Sequence, residues 1–251
     1  MCDVCGCGDE SRVSLDVHRS LLSKNDHEAA HLRQHFRADG VTVINLMGSP
    51  GAGKTALLEA TARALAGSRR LVAVSGDLAT THDAERLLRA GIVAETITTG
   101  TACHLEARMI HDVMHGERLR EAIHAGDFFF IENVGNLVCP AIYDLGQSAN
   151  VVALSLTEGV DKPLKYPVMF KNAELVVLTK LDLLPHLADV SLAAIRDNIS
   201  RVSPAAAVLT VSATSGEGIA AWTDWLESSR IGAAQARDGA PRLHQLGPRG
   251  F

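Results

Sequence analysis

Gly48-Ser49-Pro50-Gly51-Ala52-Gly53-Lys54-Thr55 is the stretch on which the reading of the chain turns. It satisfies Gly-x4-Gly-Lys-[Ser/Thr] at every fixed position. Before it, residues 41–47 form an apolar, β-branched run that reads as a buried strand. After it, residues 56–65 are rich in helix formers. Strand, glycine loop and helix together make a phosphate cradle: glycines let backbone N–H groups curl around the anion, and the helix N-terminus adds positive potential. Gly48, Ser49, Gly51, Ala52, Gly53 and Ala56 are candidate cradle residues. Lys54 would reach the terminal phosphates, and the Thr55 hydroxyl would hold Mg²⁺.

From Val41 onward short apolar runs alternate with helical patterns, which predicts an α/β fold: a mostly parallel sheet of about seven strands with helices on both faces. The expected strands are 41–47, 71–76, 93–98, 128–133, 151–157, 175–180 and 208–212. Ligands on such sheets sit beyond the carboxyl ends of the strands, so the polar residues there are the ones to inspect. The second strand ends at Asp77, a carboxylate that can sit beside Mg²⁺, although aspartate is also a common helix cap. The fourth, Phe128-Phe-Phe-Ile-Glu132, resembles a Walker-B strand, with Gly135 placed to offer its N–H to a γ-phosphate. Lys54, Thr55, Asp77 and Glu132 form the candidate catalytic set. No glutamine stands at the usual water-positioning place, so intrinsic turnover is expected to be slow.

Thr179-Lys180-Leu181-Asp182 resembles the guanine-reading motif of G proteins. An ionised Asp182 would accept from both guanine N1–H and the exocyclic amine, a donor pair that adenine lacks. The Lys180 stem would pack along the base. Ser212 and Ala213 follow the last strand, where G proteins offer a backbone N–H to guanine O6. The expected nucleotide is therefore GTP, with GDP as product.

The chain has five cysteines, and three of them, Cys2, Cys5 and Cys7, fall in its first seven residues. With the α-amino group they offer an S₃N set that suits zinc tetrahedrally or nickel(II) in a square plane. A redox pair is the competing reading, but no βαβ unit follows it. The other two cysteines, with His104, form a second candidate set: Cys103-His104 begins the helix after the third strand, and Cys139 follows Gly135 by four residues. This S₂N set suits nickel or zinc, against the alternative of buried structural thiols. A helical piece is expected over 25–37, where His27, His31 and His35 recur at i, i+4 and i+8. They either chelate a metal or lie solvated beside a packing stripe of Ala29, Leu32 and Phe36.

At 251 residues the chain can bury a full core, and a net charge of −5 without a basic run gives no reason to expect nucleic acid. No apolar stretch reaches the roughly 18 residues of a membrane span. The start of the chain lacks the pattern of a secretory signal, so a cytoplasmic location with reduced thiols is expected. The division expected is 1–40 for a metal-binding leader and linker, 41–229 for a GTP-binding domain and 230–251 for a disordered tail. Trp222 and Trp225 read as core residues of the closing helix.

Together the Cys2-Cys5-Cys7 leader, Gly48–Thr55, the run Glu132 to Pro140 and Thr179–Asp182 resemble the hydrogenase nickel-incorporation GTPase family, HypB, over nearly the whole chain to about Arg230. The resemblance implies a GTP-hydrolysing metallochaperone that delivers Ni²⁺ into the large subunit of [NiFe]-hydrogenase. It implies a leader nickel site and a second nickel or zinc site at Cys103, His104 and Cys139 in a GTP-favoured homodimer. It implies Mg²⁺ near Asp77 and Glu132. The implied partners are a small zinc-containing nickel chaperone and the hydrogenase large-subunit precursor. Two departures matter. Only His18, His27, His31 and His35 stand where some relatives carry a long histidine-rich nickel store, and Ser49 stands where related GTPases often carry a second lysine. Bulk storage and catalysis in trans by such a lysine are therefore not carried over.

Overall fold

The computed structural model describes residues 10–100 and 102–230, with side chains from Leu22 onward. Cys2, Cys5 and Cys7, and the segment 231–251 read as a tail, lie outside the described residues.

Seven strands form one parallel sheet: β1 (Thr42–Met47), β2 (Leu71–Asp77), β3 (Val93–Thr98), β4 (Phe128–Glu132), β5 (Ala149–Ser155), β6 (Leu175–Thr179) and β7 (Ala207–Thr210), in the order β3-β2-β4-β1-β5-β6-β7. Every pairing is parallel. This is the P-loop α/β architecture that the alternating pattern predicts. The central strands are buried on both faces, which is why they read as continuous apolar runs. Within β4 the pleat sends Phe128 and Phe130 to one core and Phe129 and Ile131 to the other.

The first core is capped by α2 (Lys54–Ala64) and α9 (Ile219–Ser228). Trp222 is fully buried there, stacks on Trp225 and donates its indole N–H to Thr61 Oγ1 at 2.8 Å. On the same side, α3 (His82–Arg89) covers β2 and β3. The opposite face carries α1 (Glu10–Ala38), α4 (Ala107–Met114) and α5 (Glu117–Ala125) over β2, β3 and β4. Beyond β1, the short helices α6 (Lys162–Lys165) and α7 (Pro167–Lys171) and the longer α8 (Leu192–Val202) complete the structure.

Three expectations need correction. The helix expected over 25–37 extends from Glu10 to Ala38; its packing stripe of Ala29, Leu32 and Phe36 is buried as read, while the turns preceding it simply continue. Cys103-His104 does not begin a helix: α4 starts at Ala107, because the Leu105 N–H is held by Asn133 Oδ1 and the Ala107 N–H by Asn25 Oδ1. The fifth strand ends at Ser155, where a 3₁₀ turn over Leu156–Glu158 closes with a Ser155–Glu158 capping box.

Truncating Trp222 to alanine removes a full side chain and its hydrogen bond from the α2–α9 seam. Urea unfolding of W222A is expected to show a loss of about 3–5 kcal/mol.

Candidate functional site

β1 lies at the centre of the sheet between β4 and β5, so the loop leaving its carboxyl end sits where the chain changes direction of travel across the sheet. That loop is Gly48–Gly53. Gly48 has φ +150°, and a Cβ there would overlap the Ala153 carbonyl oxygen on β5; only glycine lets the loop lie this close to the sheet. Ser49 Oγ donates to Glu158 Oε2, and Ala52 O accepts from Thr179 Oγ1 at 2.6 Å. The phosphate loop is thus tied to β5 and to the start of the 179–182 motif. Thr179, which lacks the amide of the commoner asparagine, uses its hydroxyl for that tie.

Under the loop lies a buried polar cluster. Lys54 is 7% exposed, and its Nζ lies 3.4 Å from Gly48 O and 3.3 Å from Ser49 O. Thr55 Oγ1 lies 2.7 Å from Glu132 Oε1 and 3.0 Å from Asp83 Oδ1. One hydroxyl proton cannot serve both carboxylates. Burial pushes the Glu132 carboxyl up to about 7, against the downward pull of Lys54 and the Thr55 hydrogen bond. Burial likewise pushes the Lys54 ammonium below its ordinary range, opposed by Glu132, Asp83 and Glu158. Glu132 Oε2 is buried with no hydrogen-bond partner. An orphaned carboxylate oxygen beside a hydroxyl and a second carboxylate is an all-oxygen donor set of the kind a hard divalent cation takes.

Asp77 is not brought into this cluster's hydrogen bonds. Its carboxylate accepts from Thr80 Oγ1 at 2.7 Å and from the N–H groups of Ala79 and Thr80. Burial acts against its charge, but those bonds together hold its carboxyl below the usual range. Asp83, which the sequence reading did not single out, is the second carboxylate at Thr55. Its only sequence signal is its position in the first turn after Thr80-Thr81.

At the other end of the loop, Ser212 Oγ donates to Asp182 Oδ1 at 2.6 Å and accepts from the Ser215 N–H. Lys180 takes a left-handed conformation, φ 61°, which turns the chain between Thr179 and Asp182. The Ser212 N–H itself is donated to Glu217 O at 2.8 Å.

After Glu132 the chain touches the phosphate loop directly. Gly48 and Asn136 form an isolated antiparallel bridge, and a Cβ on Gly135 would stand 2.9 Å from Pro50 Cγ. Three residues past Asn136 comes Cys139. Its Sγ lies 3.0 Å from Cys103 Sγ, and Cys103 Sγ lies 3.8 Å from His104 Nδ1. One ligand atom from each of Cys103, His104 and Cys139 lies within 4.8 Å of the others, the sole such group of three or more among the described residues. Both thiols are free, and contact with Cys103 holds the Cys139 thiol above its ordinary range. His104 stacks on Tyr143 with ring centroids 3.9 Å apart, and its Nε2 is buried without a hydrogen-bond partner. Two thiols and an imidazole, all partly exposed, make an incomplete set for a borderline-soft ion.

Residues 42–210 match the family model described as "CobW/HypB/UreG, nucleotide-binding domain". The chain is 46% identical over 233 residues to "Hydrogenase maturation factor HypB" of Azotobacter vinelandii, covering 93% of this chain and 75% of that one. The chain belongs to the HypB family. A HypB relative in Helicobacter hepaticus, named "Hydrogenase/urease maturation factor HypB", is 41% identical and covers 88% of this chain and 90% of its own length. Among solved structures, HypB from Helicobacter pylori in complex with nickel superposes with a TM-score of 0.79 at 37% identity, covering 88% of this chain and 99% of that one. Among the described residues no helix is long and apolar enough to cross a membrane.

The raised carboxyl of Glu132 sets a pH dependence. The folded chain holds that proton to a higher pH than the unfolded chain does. This group's contribution to stability therefore falls as pH rises from its ordinary 4.5 to about 7 and is flat above. In nucleotide- and metal-free protein, Glu132→Gln is expected to flatten that fall between pH 5 and pH 8 in urea unfolding.

Proposed function

We propose that this chain is a GTP-hydrolysing metal-delivery factor that hands nickel(II) to a hydrogenase during its maturation, in a cycle of nucleotide-dependent dimerisation. The observation that carries the reading is the short covalent path from Glu132, under the phosphate loop, through Gly135 and Asn136, against that loop, to Cys139. A nucleotide site and a candidate cargo site share one segment.

In this reading Gly48, Ser49, Gly51, Ala52, Gly53 and Ala56 cradle the phosphates and Lys54 neutralises the terminal pair. To bind there, the nucleotide draws Lys54 Nζ away from the Gly48 and Ser49 carbonyls that it now faces. Thr55, with Asp83 and Glu132, is the oxygen set that would hold Mg²⁺ or its waters. When bound, that ion would offset negative charge on the terminal phosphates. Asp182 accepts from guanine N1–H and the exocyclic amine, with Ser212 Oγ fixing the carboxylate's orientation. Because the Ser212 N–H is committed to Glu217, the Ala213 N–H is the one we assign to guanine O6. Lys180 packs along the base. Gly135 offers its N–H to the γ-phosphate, where loss of that phosphate after hydrolysis changes the loop leading to Cys139.

Cys103, His104 and Cys139 then hold the cargo ion, nickel or zinc, and a second protomer completes the ligand set across the dimer. The leader cysteines Cys2, Cys5 and Cys7 remain the proposed first nickel site. The client is read from the relatives' names, and the Helicobacter hepaticus relative raises urease as a second client. A small nickel chaperone as donor and the large-subunit precursor as acceptor complete the proposed route.

The purified chain with Mg²⁺ is expected to hydrolyse GTP slowly and to discriminate against ATP by roughly 10⁴ in kcat/KM. Lys54→Ala should abolish turnover while nickel binding is retained. Equal rates with the two nucleotides would overturn the guanine assignment.

A further inference from the structure

On the exposed face of α1, His27 and His31 bring their Nε2 atoms to 3.1 Å, with ring centroids 4.6 Å apart and edge to face. Two imidazole nitrogens on one ion, each bonded at about 2.1 Å, stand 3.1 Å apart when the N–metal–N angle is about 95°. That is near the right angle between adjacent ligands of square-planar or octahedral nickel(II), and within a small rotamer adjustment of the wider tetrahedral angle of zinc. In the free chain the same spacing accommodates an N–H···N bond between neutral rings, and an ion bound to both Nε2 atoms requires the donor ring to shift its proton from Nε2 to Nδ1.

The place of the pair distinguishes it from a solvated coincidence. His27 lines a cavity of about 630 Å³ whose wall includes the acids Glu28 and Glu106, the cations Lys24 and Arg108, and Tyr143. Glu106 and Tyr143 also touch the candidate cargo site: Glu106 Oε1 lies 3.5 Å from His104 Nε2, and Tyr143 stacks on the His104 ring. The position of α1 over this cavity is fixed. Asn25, 7% exposed, accepts from the Ala107 N–H and donates to Asp144 O, both at 2.8 Å, and Arg33 grips the Asp144 carboxylate with both contacts at 2.6 Å. The imidazole pair therefore stands at one wall of a cavity that Lys24 and Arg108 also line, and two other wall residues, Glu106 and Tyr143, contact His104. Ligand softness rises from the imidazole pair to the thiol–imidazole group, which favours transfer of a borderline ion in that direction.

We propose that His27 and His31 form a bidentate capture site for a divalent borderline ion, nickel(II) or zinc(II), beside the cavity whose wall residues Glu106 and Tyr143 contact His104. The proposal rests on the reading of Cys103, His104 and Cys139 as the cargo site. A second pair supplies the control: His111 and His115 at the end of α4 place their Nε2 atoms 3.3 Å apart. Neither residue is among those lining the cavity.

The test uses the full chain carrying Cys2→Ser, Cys5→Ser and Cys7→Ser, so that leader thiols do not contribute, with Ni²⁺ alone as probe. Calorimetry counts bound equivalents, and stopped-flow absorption follows the thiolate-to-nickel band of Cys103 and Cys139. Adding His27→Ala and His31→Ala is expected to remove one equivalent. It should also slow the band at least tenfold at substoichiometric nickel, with the same final amplitude. Adding His111→Ala and His115→Ala instead should leave the rate unchanged. An unaltered stoichiometry overturns the site, and loss of an equivalent with an unaltered band rate overturns its role in capture. A parent chain that forms no thiolate band contradicts the cargo-site reading instead, whereas loss of the equivalent still reports on the histidine pair.

Discussion

The structure depends on a carboxylate where burial disfavours its charge. Glu132 ends β4, the strand beside central β1, under the phosphate loop, 3% exposed, with one oxygen on Thr55 and the other unpartnered. A buried, half-satisfied acid carries a desolvation cost that only a cation or a proton relieves. Lys54 offsets part of it. The remaining demand makes the end of β4 the point most responsive to what occupies the loop, and the chain continues from there to Cys139.

The next residue spreads that response. Asn133 is buried; its Oδ1 accepts from the Leu105 N–H and its Nδ2 donates to Asn45 Oδ1, while Asn45 donates to Asn150 Oδ1 and Gln147 donates to the same oxygen. This amide chain links β4, β1 and β5 at their shared edge. Through Leu105 it also holds the segment carrying Cys103 and His104. Both arms of the thiol–imidazole group therefore hang from two consecutive residues, Glu132 and Asn133. Displacement of that one strand end would carry both arms of the group, the kind of small shift that a packed core converts into a discrete change.

Local patterns were legible in the sequence. The buried parallel strands announced themselves as apolar runs, and the phosphate loop as a spaced motif between a strand and a helix. Thr179–Asp182 stood at a strand end, and Cys103, His104 and Cys139 followed from where parallel sheets present their ligands. What escaped was long-range or ambiguous locally. Asp83 was not singled out, because an acid in a first helical turn is common, whereas Asp77 stood out by ending a strand. Nothing in Ser49 or Glu158 foretells their contact, 109 residues apart. The first turns of α1 were missed because serines and charges there hide the apolar period. Asn25 gave no signal, since an asparagine on a helix reads as surface until the carbonyl and N–H it serves are folded against it.

Membership of the HypB family sets the frame, and the path from Glu132 to Cys139 sets the claim that nucleotide and cargo ion are coupled through it. The most direct measurement is the nickel affinity of Cys103, His104 and Cys139, read from their thiolate-to-nickel absorption with GDP and with a non-hydrolysable GTP analogue. Coupling through this segment predicts affinities that differ by about tenfold or more, equivalent to roughly 1.4 kcal/mol. Identical affinities in the two nucleotide states would contradict it.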